Sequence, residues 1–514
     1  MASSEPQSAD NGITNMPDNL EGSKQTGMFT ISPGRDVYGE LTFARQNSSL
    51  SLHDKGFFNT IGIPDQYVKG VLHDLTKVSL LNCITTEGPG SASRGKESYS
   101  YAKMFPHFVL HGDHHIAPTE KKITEVHFVV DDASTIFYDF DAFGRLLDAR
   151  PYIEQIARAN GIEREIATGP DPEILYFTGK REIVSVDTVL GRISASHNPS
   201  HNLGGPEGGY LKNSIFVTIK FTNTATFHEV IDHTSTLLRF LELLVGRPQN
   251  LLKMYVGLED NGKKPAYLDV YWSMPPQRDM PDKEQRPHPS DLLLDAVRQP
   301  DAFCRVLANW LDRHETWRDA RHRFSSSFEN QRNYGIDRLI GAANMFDILP
   351  STAIPPDIQL SERLEQARDG CRETFRSLPE SPERDSVLNA LGRVGKSTLK
   401  QKIRHRGKLL IDLAGERFPD LFMVTDEAVN CRNHYVHGAM PKFDYSNNFD
   451  AIMFFTDTLE FVFGASDLIE AGWDFKAWCA NSSAMSHPFG QMRVNYNENL
   501  RRLKSLIPPQ ANAP

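Results

Sequence analysis

From Tyr38 onward, apolar and polar positions alternate in short runs. Examples are Glu40-Leu41-Thr42-Phe43, Ser49–Leu52, Val78–Leu81, Val126–Val130, Ile174–Phe177, Ile183–Val186 and Ile215–Phe221. A period of two, bounded by Gly, Pro and Asn, is the signature of half-buried antiparallel strands. The rhythm changes at Phe227–Val245, where Val230, Ile231, Leu237, Leu238, Leu241 and Leu244 give a broad apolar face and predict one helix. Strand-like spacing resumes at Leu251–Val256 and Tyr267–Trp272. Residues 30–273 therefore predict a β-rich domain carrying one or two helices.

Five prolines stand between Met274 and Pro289, a density that excludes both a helix and a central strand. Residues 274–290 read as a linker. Beyond them the period becomes helical, and Asp291–Trp310, Tyr334–Leu349, Ser361–Phe375, Val387–Ile403, Lys408–Phe418, Val424–His437, Phe449–Glu470 and Arg493–Leu506 are the expected helices. Pro350, Pro355, Pro379, Pro382, Pro419, Pro441 and Pro488 fall between them, where breakers belong. Phe449–Glu470 is apolar over most of its circumference and must be buried on more than one side. The ends, residues 1–29 and 508–514, read as tails; the first is rich in Ser, Asn, Asp, Gly and Gln and too poor in apolar side chains to repay ordering. The fold class is α+β multidomain, with a β-rich N-terminal domain (30–273), a Pro-rich linker (274–290) and an all-α helical bundle (291–507).

Composition narrows the function classes. At 39% hydrophobic and 24% charged residues the chain is globular, which excludes fibrous and wholly disordered proteins. Charges interrupt every long apolar run, so no membrane span is expected, and the acidic N-terminal stretch lacks the apolar core of a secretory signal. Five scattered cysteines without a CxxC suggest a reduced, cytoplasmic protein with no disulfide framework and no zinc site. The net charge is −10, but the acidic excess sits in the first 300 residues, leaving room for a local basic surface further on.

The segment with the strongest chemical content is Asn430-Cys431-Arg432-Asn433-His434-Tyr435-Val436-His437-Gly438. Gly438 suits the left-handed position after a helix, and Pro441 follows, so His437 falls at a helix C-terminus, where the dipole favours an imidazolium. Arg432 offers a guanidinium fork matched to phosphate oxygens, and Asn433 can bond the other participants. Five positions along a helix place Arg432 and His437 about 140° apart. One copy aims both at a single phosphate only if His437 has left the helix; two copies about a two-fold axis could converge on a shared cleft. The plainer alternative pairs Arg432 with Asp426 or Glu427 and makes His437 a helix cap.

Arg432-Asn433 followed by Val436-His437-Gly438, at the end of a helix inside a bundle, resembles the Arg…His motif of HEPN-domain ribonucleases. Four further stretches are similar to ApeA-type anti-phage defence proteins: Tyr176–Lys180, Asp187–Gly191, Arg239–Pro248 and Asn344–Pro350. The resemblance extends over about residues 35–505. It implies a C-terminal ApeA-like HEPN domain behind a β-rich sensor or regulatory domain, and metal-independent cleavage of host RNA, with tRNA the candidate target, in abortive infection. The substrate's 2′-hydroxyl would be the nucleophile, leaving 2′,3′-cyclic phosphate and 5′-hydroxyl ends. In that scheme His437 moves protons, Arg432 stabilises the phosphorane and Asn433 orients the histidine or the phosphate. The resemblance also implies a homodimer or higher even oligomer and a phage-derived trigger, with no cofactor.

Upstream, no acid interrupts the stretch between Asp385 and Asp412, which holds Arg393, Lys396, Lys400, Lys402, Arg404, Arg406 and Lys408. Lys396, Lys400 and Arg404 fit one helix face, and the stretch makes the best RNA-backbone footprint in the chain; a solvated face is the competing account. Other signals are weaker. Gly392–Thr398 resembles a P-loop but has Ala390 where the first glycine belongs. The histidines His107, His111, His114 and His115 with Asp113 fit a polar strand-and-turn segment better than a metal site, and Ser196–Asn202 reads as a loop. The rival to an enzyme is a non-catalytic module binding RNA or protein, with Arg432 and His437 structural.

Overall fold

The structure, a computed structural model, describes residues 20–31, 34–55, 67–206, 208–259, 266–275, 287–330, 333–357, 359–482 and 485–507. The expected tail over residues 1–19, the tail 508–514 and the Pro-rich stretch 276–286 lie outside the described residues. Two compact units divide the chain between residues 304 and 305. Among the described residues no helix is long and apolar enough to cross a membrane.

The first unit is β-rich, as its alternation predicts. Among the described residues its main element is a fourteen-stranded antiparallel sheet. From one edge the order is Glu182–Thr188, Gly191–Gly205, Gly208–Ala225, Ile123–Val130, Leu251–Leu258, Ala266–Trp272 and Phe108–Gly112. It continues through Lys77–Leu81, Val68–Leu72, Lys24–Ile31, Arg35–Thr42, Ser49–Lys55, Glu97–Phe105 and Ile84–Arg94. Alternate residues Phe29, Ile31, Val37, Leu41, Leu50, Leu52, Ala102 and Met104 point inward to one apolar core. Two expectations are corrected here. Lys24–Ile31 is a strand, not tail, because Phe29 and Ile31 fall on the inward face and its backbone pairs on both edges. Ser196–Asn202 is the middle of a strand, not a loop: its polar residues stay in the ladder, and the inward His197 is held by Asn213 (Nδ2 to Nδ1, 3.0 Å).

Two short helices, α1 (Ala133–Ile136) and α2 (Arg150–Ala159), precede the long helix α3 (Phe227–Val245). α3 begins at the capping box of Thr226 and Glu229 and ends at Gly246, whose φ of 83° is left-handed. The turn that follows is fixed by buried charge: Arg247 donates from Nε to Asp132 Oδ2 (2.6 Å), and Gln249 Nε2 donates to the same carboxylate (2.7 Å).

The second unit contains helices α4 (Pro300–Asp312, shared across the division), α5 (His314–Glu329), α6 (Ile336–Asn344), α7 (Glu362–Arg376) and α8 (Pro382–Gly392). It continues with α9 (Leu399–Ala414), α10 (Leu421–His437), α11 (Phe449–Glu470), α12 (Phe475–Ala480) and α13 (Pro488–Leu506). The all-round apolar α11 is the axis, packed by α5, α6, α9, α10 and α13. It also buries acids. Asp467 accepts from Arg321 at 2.9 Å through both oxygens, from Trp310 Nε1 at 2.8 Å and from Arg313 at 2.6 Å. Buried Glu460 receives Arg338 of α6 at 2.9 and 2.7 Å, and at the exposed end of the helix Glu470 receives the buried Arg406 of α9 at 2.5 Å.

The sequence reading missed α5, whose arginine-rich surface looks solvated until Asp467 is brought against it. It also placed Pro382 and Pro488 outside helices; both occupy the first turn, where a missing N–H costs nothing. Val387–Ile403 is not one helix, because Thr398 and Gln401 form a capping box that starts α9 anew.

Burial opposes ionisation of Asp467, but the guanidinia of Arg321, Arg313 and Arg406 outweigh it and hold the carboxyl below its usual range. Its contribution to stability is therefore complete above pH ~4 and is lost as pH falls through the lowered value. Asp467→Ala is expected to destabilise the helical unit by about 3–5 kcal/mol, because Arg321 would remain buried without its partner. Urea unfolding followed by tryptophan fluorescence measures this, and a variant within ~1 kcal/mol of the native protein would contradict it.

Candidate active site

The last turns of α10 carry the candidate residues. Leu421, Val424, Ala428 and Cys431 form its buried face, which sets Arg432 and Asn433 at the half-buried edge and leaves His437 exposed at the end. The helix stops as predicted: Gly438 has φ of 68°, and its N–H bonds the His434 carbonyl at 3.0 Å. His434 turns away from the site and donates from Nδ1 to the Ala439 carbonyl at 2.8 Å, beside the rings of Tyr435 and Tyr445. Of the two histidines in the motif, only His437 turns towards Arg432.

Arg432 and His437 meet within one chain. Nη1 of Arg432 lies 2.9 Å from His437 Nε2 and donates to Asn433 Oδ1 at 3.0 Å, while Nη2 donates to Asn344 Oδ1, at the end of α6, at 3.1 Å. The long arginine side chain spans the angular offset between the two positions, so one copy brings the pair together. The contact overturns the plainer alternative. Asp426 is taken by Arg404, and buried Glu427 is taken by Asn430 (2.7 Å) and Lys442 (2.7 Å).

A guanidinium carries only donors, so Nε2 of His437 must be the acceptor in this contact. The imidazole is then neutral with its proton on Nδ1. The result is an unprotonated ring nitrogen of an exposed histidine beside a fixed cation, able to take a proton from a hydroxyl while the cation binds an adjacent anion. Cys431 is no rival nucleophile, since burial and the charge of Glu427 push its thiol up to about 12.

The basic stretch is divided between a turn and a helix. Arg393 follows α8 and Lys396 precedes the cap of α9; both are exposed. Lys396 is therefore off the helix face expected for it with Lys400 and Arg404. Lys400 donates to Asn430 of α10 at 2.6 Å, Lys402 to the Asp347 carbonyl at 3.0 Å, and Arg404 to Asp426 at 3.0 Å. Two of these bonds tie α9 to the helix that carries Arg432. The P-loop-like segment is this same turn between helices, with Ser397 Oγ bonded to the Pro355 carbonyl at 3.1 Å. Among the described residues no three His, Cys, Asp or Glu side chains gather as a metal site.

Comparison with known families agrees with this division. ApeA N-terminal domain 1 matches residues 24–310, more than half of the chain. The chain belongs to the ApeA family. The Apea-like HEPN family matches residues 340–476, which takes in Asn344, Arg432, Asn433 and His437. This ApeA-type protein thus places its HEPN domain after the β-rich domain. HEPN domains are generally RNases that bind RNA and often dimerise, and an ApeA-type one points to an anti-phage defence nuclease. No curated protein and no solved structure matches the chain.

The left-handed turn behind His437 gives a direct check. Gly438→Ala is expected to lower stability by about 1 kcal/mol and to loosen the last turn of α10. Hydrogen exchange should show faster exchange confined to the end of that helix; unchanged exchange there would count against the cap.

Proposed function

We propose that this protein is a metal-independent HEPN endoribonuclease that cuts host RNA, with tRNA the candidate target, during abortive infection. The observation that carries the reading is the 2.9 Å contact between Arg432 Nη1 and His437 Nε2, which sets a proton acceptor beside a phosphate-binding cation. An incoming phosphodiester would replace that contact. A non-bridging oxygen takes the guanidinium N–H, and the neighbouring 2′-hydroxyl donates to Nε2. His437 accepts the hydroxyl proton, O2′ attacks phosphorus and the P–O5′ bond breaks. The imidazolium returns the proton to the departing O5′, so the ends are a 2′,3′-cyclic phosphate and a 5′-hydroxyl. Arg432 holds the charge that builds on the phosphorane, a role worth several kcal/mol for a pre-set donor, and Asn433 steadies the guanidinium.

Exposed Arg393 and Lys396, with Lys400, Lys402 and Arg404, supply positive charge for the RNA backbone, through contacts that weaken as salt rises. The functional unit is read as a homodimer or higher even oligomer in which each copy carries its own Arg–His pair. The β-rich domain is read as the sensor of a phage-derived trigger.

His437→Ala and Arg432→Ala are each expected to lower RNA cleavage by at least about 100-fold while leaving the melting temperature and circular dichroism unchanged. Cleavage by the native protein should continue in EDTA, and end-mapping should recover cyclic phosphates. Cleavage that needs Mg²⁺, or that persists in the His437→Ala variant, would overturn the mechanism. A protein that binds RNA yet never cuts it would favour a non-catalytic module.

A further inference from the structure

Arg432 is held from two sides. Asn433 is its neighbour on α10, whereas Asn344 comes from the end of α6, 88 positions earlier in the chain. Asn344 itself stands on a pinned element. Arg338, two turns back on α6, is locked to buried Glu460 of α11, and Phe346 just beyond packs edge-on against Phe463 at 5.7 Å between ring centres. The amide orientation follows from chemistry, since only the oxygen of an Asn side chain can accept from a guanidinium. The choice of Asn also has a consequence. A neutral acceptor fixes Nη2 without cancelling its charge, whereas an aspartate there would tie up the cation that a phosphate needs.

We propose that Asn344 is a positioning residue for the ribonuclease reaction. By holding Nη2 it aims Nη1 at His437 Nε2, and so keeps the imidazole in the form protonated on Nδ1 with Nε2 bare. The proposal rests on the ribonuclease reading for its kinetic consequence, but not for its structural one. Without Asn344, the guanidinium turns about its long side chain, Nη1 leaves Nε2, and the histidine returns to a mixture of tautomers. Displacement of about 1 Å in such a group costs on the order of 100-fold in rate.

The test uses three variants of the full chain: Asn344→Ala and Asn344→Leu, which lack the acceptor, and Asn344→Asp, which keeps it. ¹⁵N-histidine NMR at alkaline pH, with His437 identified by the loss of its signal in His437→Ala, reads the tautomer without any RNA. The native protein and Asn344→Asp should show His437 protonated on Nδ1; the Ala and Leu variants should lose that preference. In cleavage assays, Ala and Leu should lower kcat by about 10- to 100-fold with KM within about threefold, at unchanged melting temperature. Asn344→Asp should recover part of that kcat with a raised KM. Retention of the native tautomer and kcat in the Ala and Leu variants would overturn the proposal. So would equal loss in all three variants with a lowered melting temperature, the mark of a merely structural residue. If the native protein cuts no RNA at all, the ribonuclease reading fails, and the tautomer comparison still decides whether Asn344 positions the pair.

Discussion

Carboxylates buried on α11 have to be answered by guanidinia, and the helical unit is arranged around that requirement. A lone charge in an apolar interior costs several kcal/mol, so Asp467 and Glu460 are compatible with folding only when Arg321 and Arg338 arrive with matching geometry. Each ion pair therefore acts as a register mark. Arg321 fixes how α5 lies along α11, Arg338 does the same for α6, and Arg406 ties α9 through Glu470. Cation–π contacts reinforce the first of these, with the Arg321 guanidinium 3.8 Å from the centre of the Trp310 ring. Apolar packing alone would hold the helices together but would tolerate sliding.

The candidate site inherits that register. α6 is fixed at Arg338 and delivers Asn344 to Arg432; α9 meets α10 through Lys400 and Arg404; α10 ends at Gly438 with His437 on its last turn. The Arg–His pair is thus the far end of a chain of contacts that begins in the core. The guanidinium is the residue type that can serve this purpose. Its five donors let it bond two asparagines and a histidine at once and still offer an N–H to an anion.

Positive charge near the site is partly committed to the fold. Lys400, Lys402 and Arg404 make contacts within the unit, so an RNA backbone laid there would have to share or replace them, while Arg393 and Lys396 stand exposed on the turn before α9. Lys400 bonds the neutral Asn430, whereas Lys402 also lies 3.5 Å from the Asp347 carboxylate and Arg404 faces Asp426. Of these three, Lys400 is accordingly the better carrier of phosphate affinity.

Local pattern determined much of this protein. Period-two alternation marks strands such as Ser49–Lys55, Lys77–Leu81, Ile123–Val130 and Ala266–Trp272, and period-3.6 spacing marks α3 and α11 over their full lengths. Gly438 and Pro441 mark where α10 stops, and the spacing of Arg432, Asn433 and His437 carries the resemblance to HEPN ribonucleases. Tertiary structure decided the rest. α5 is harder to read because its Arg321 is buried by Asp467, 146 positions away in the chain. Lys396 falls off the helix because a capping box outweighs the charge pattern. Whether Arg432 and His437 meet in one copy or across two depends on side-chain reach and on an asparagine held at the end of another helix. Spacing fixes angles along a single element, but hydrogen-bond partners are chosen in three dimensions.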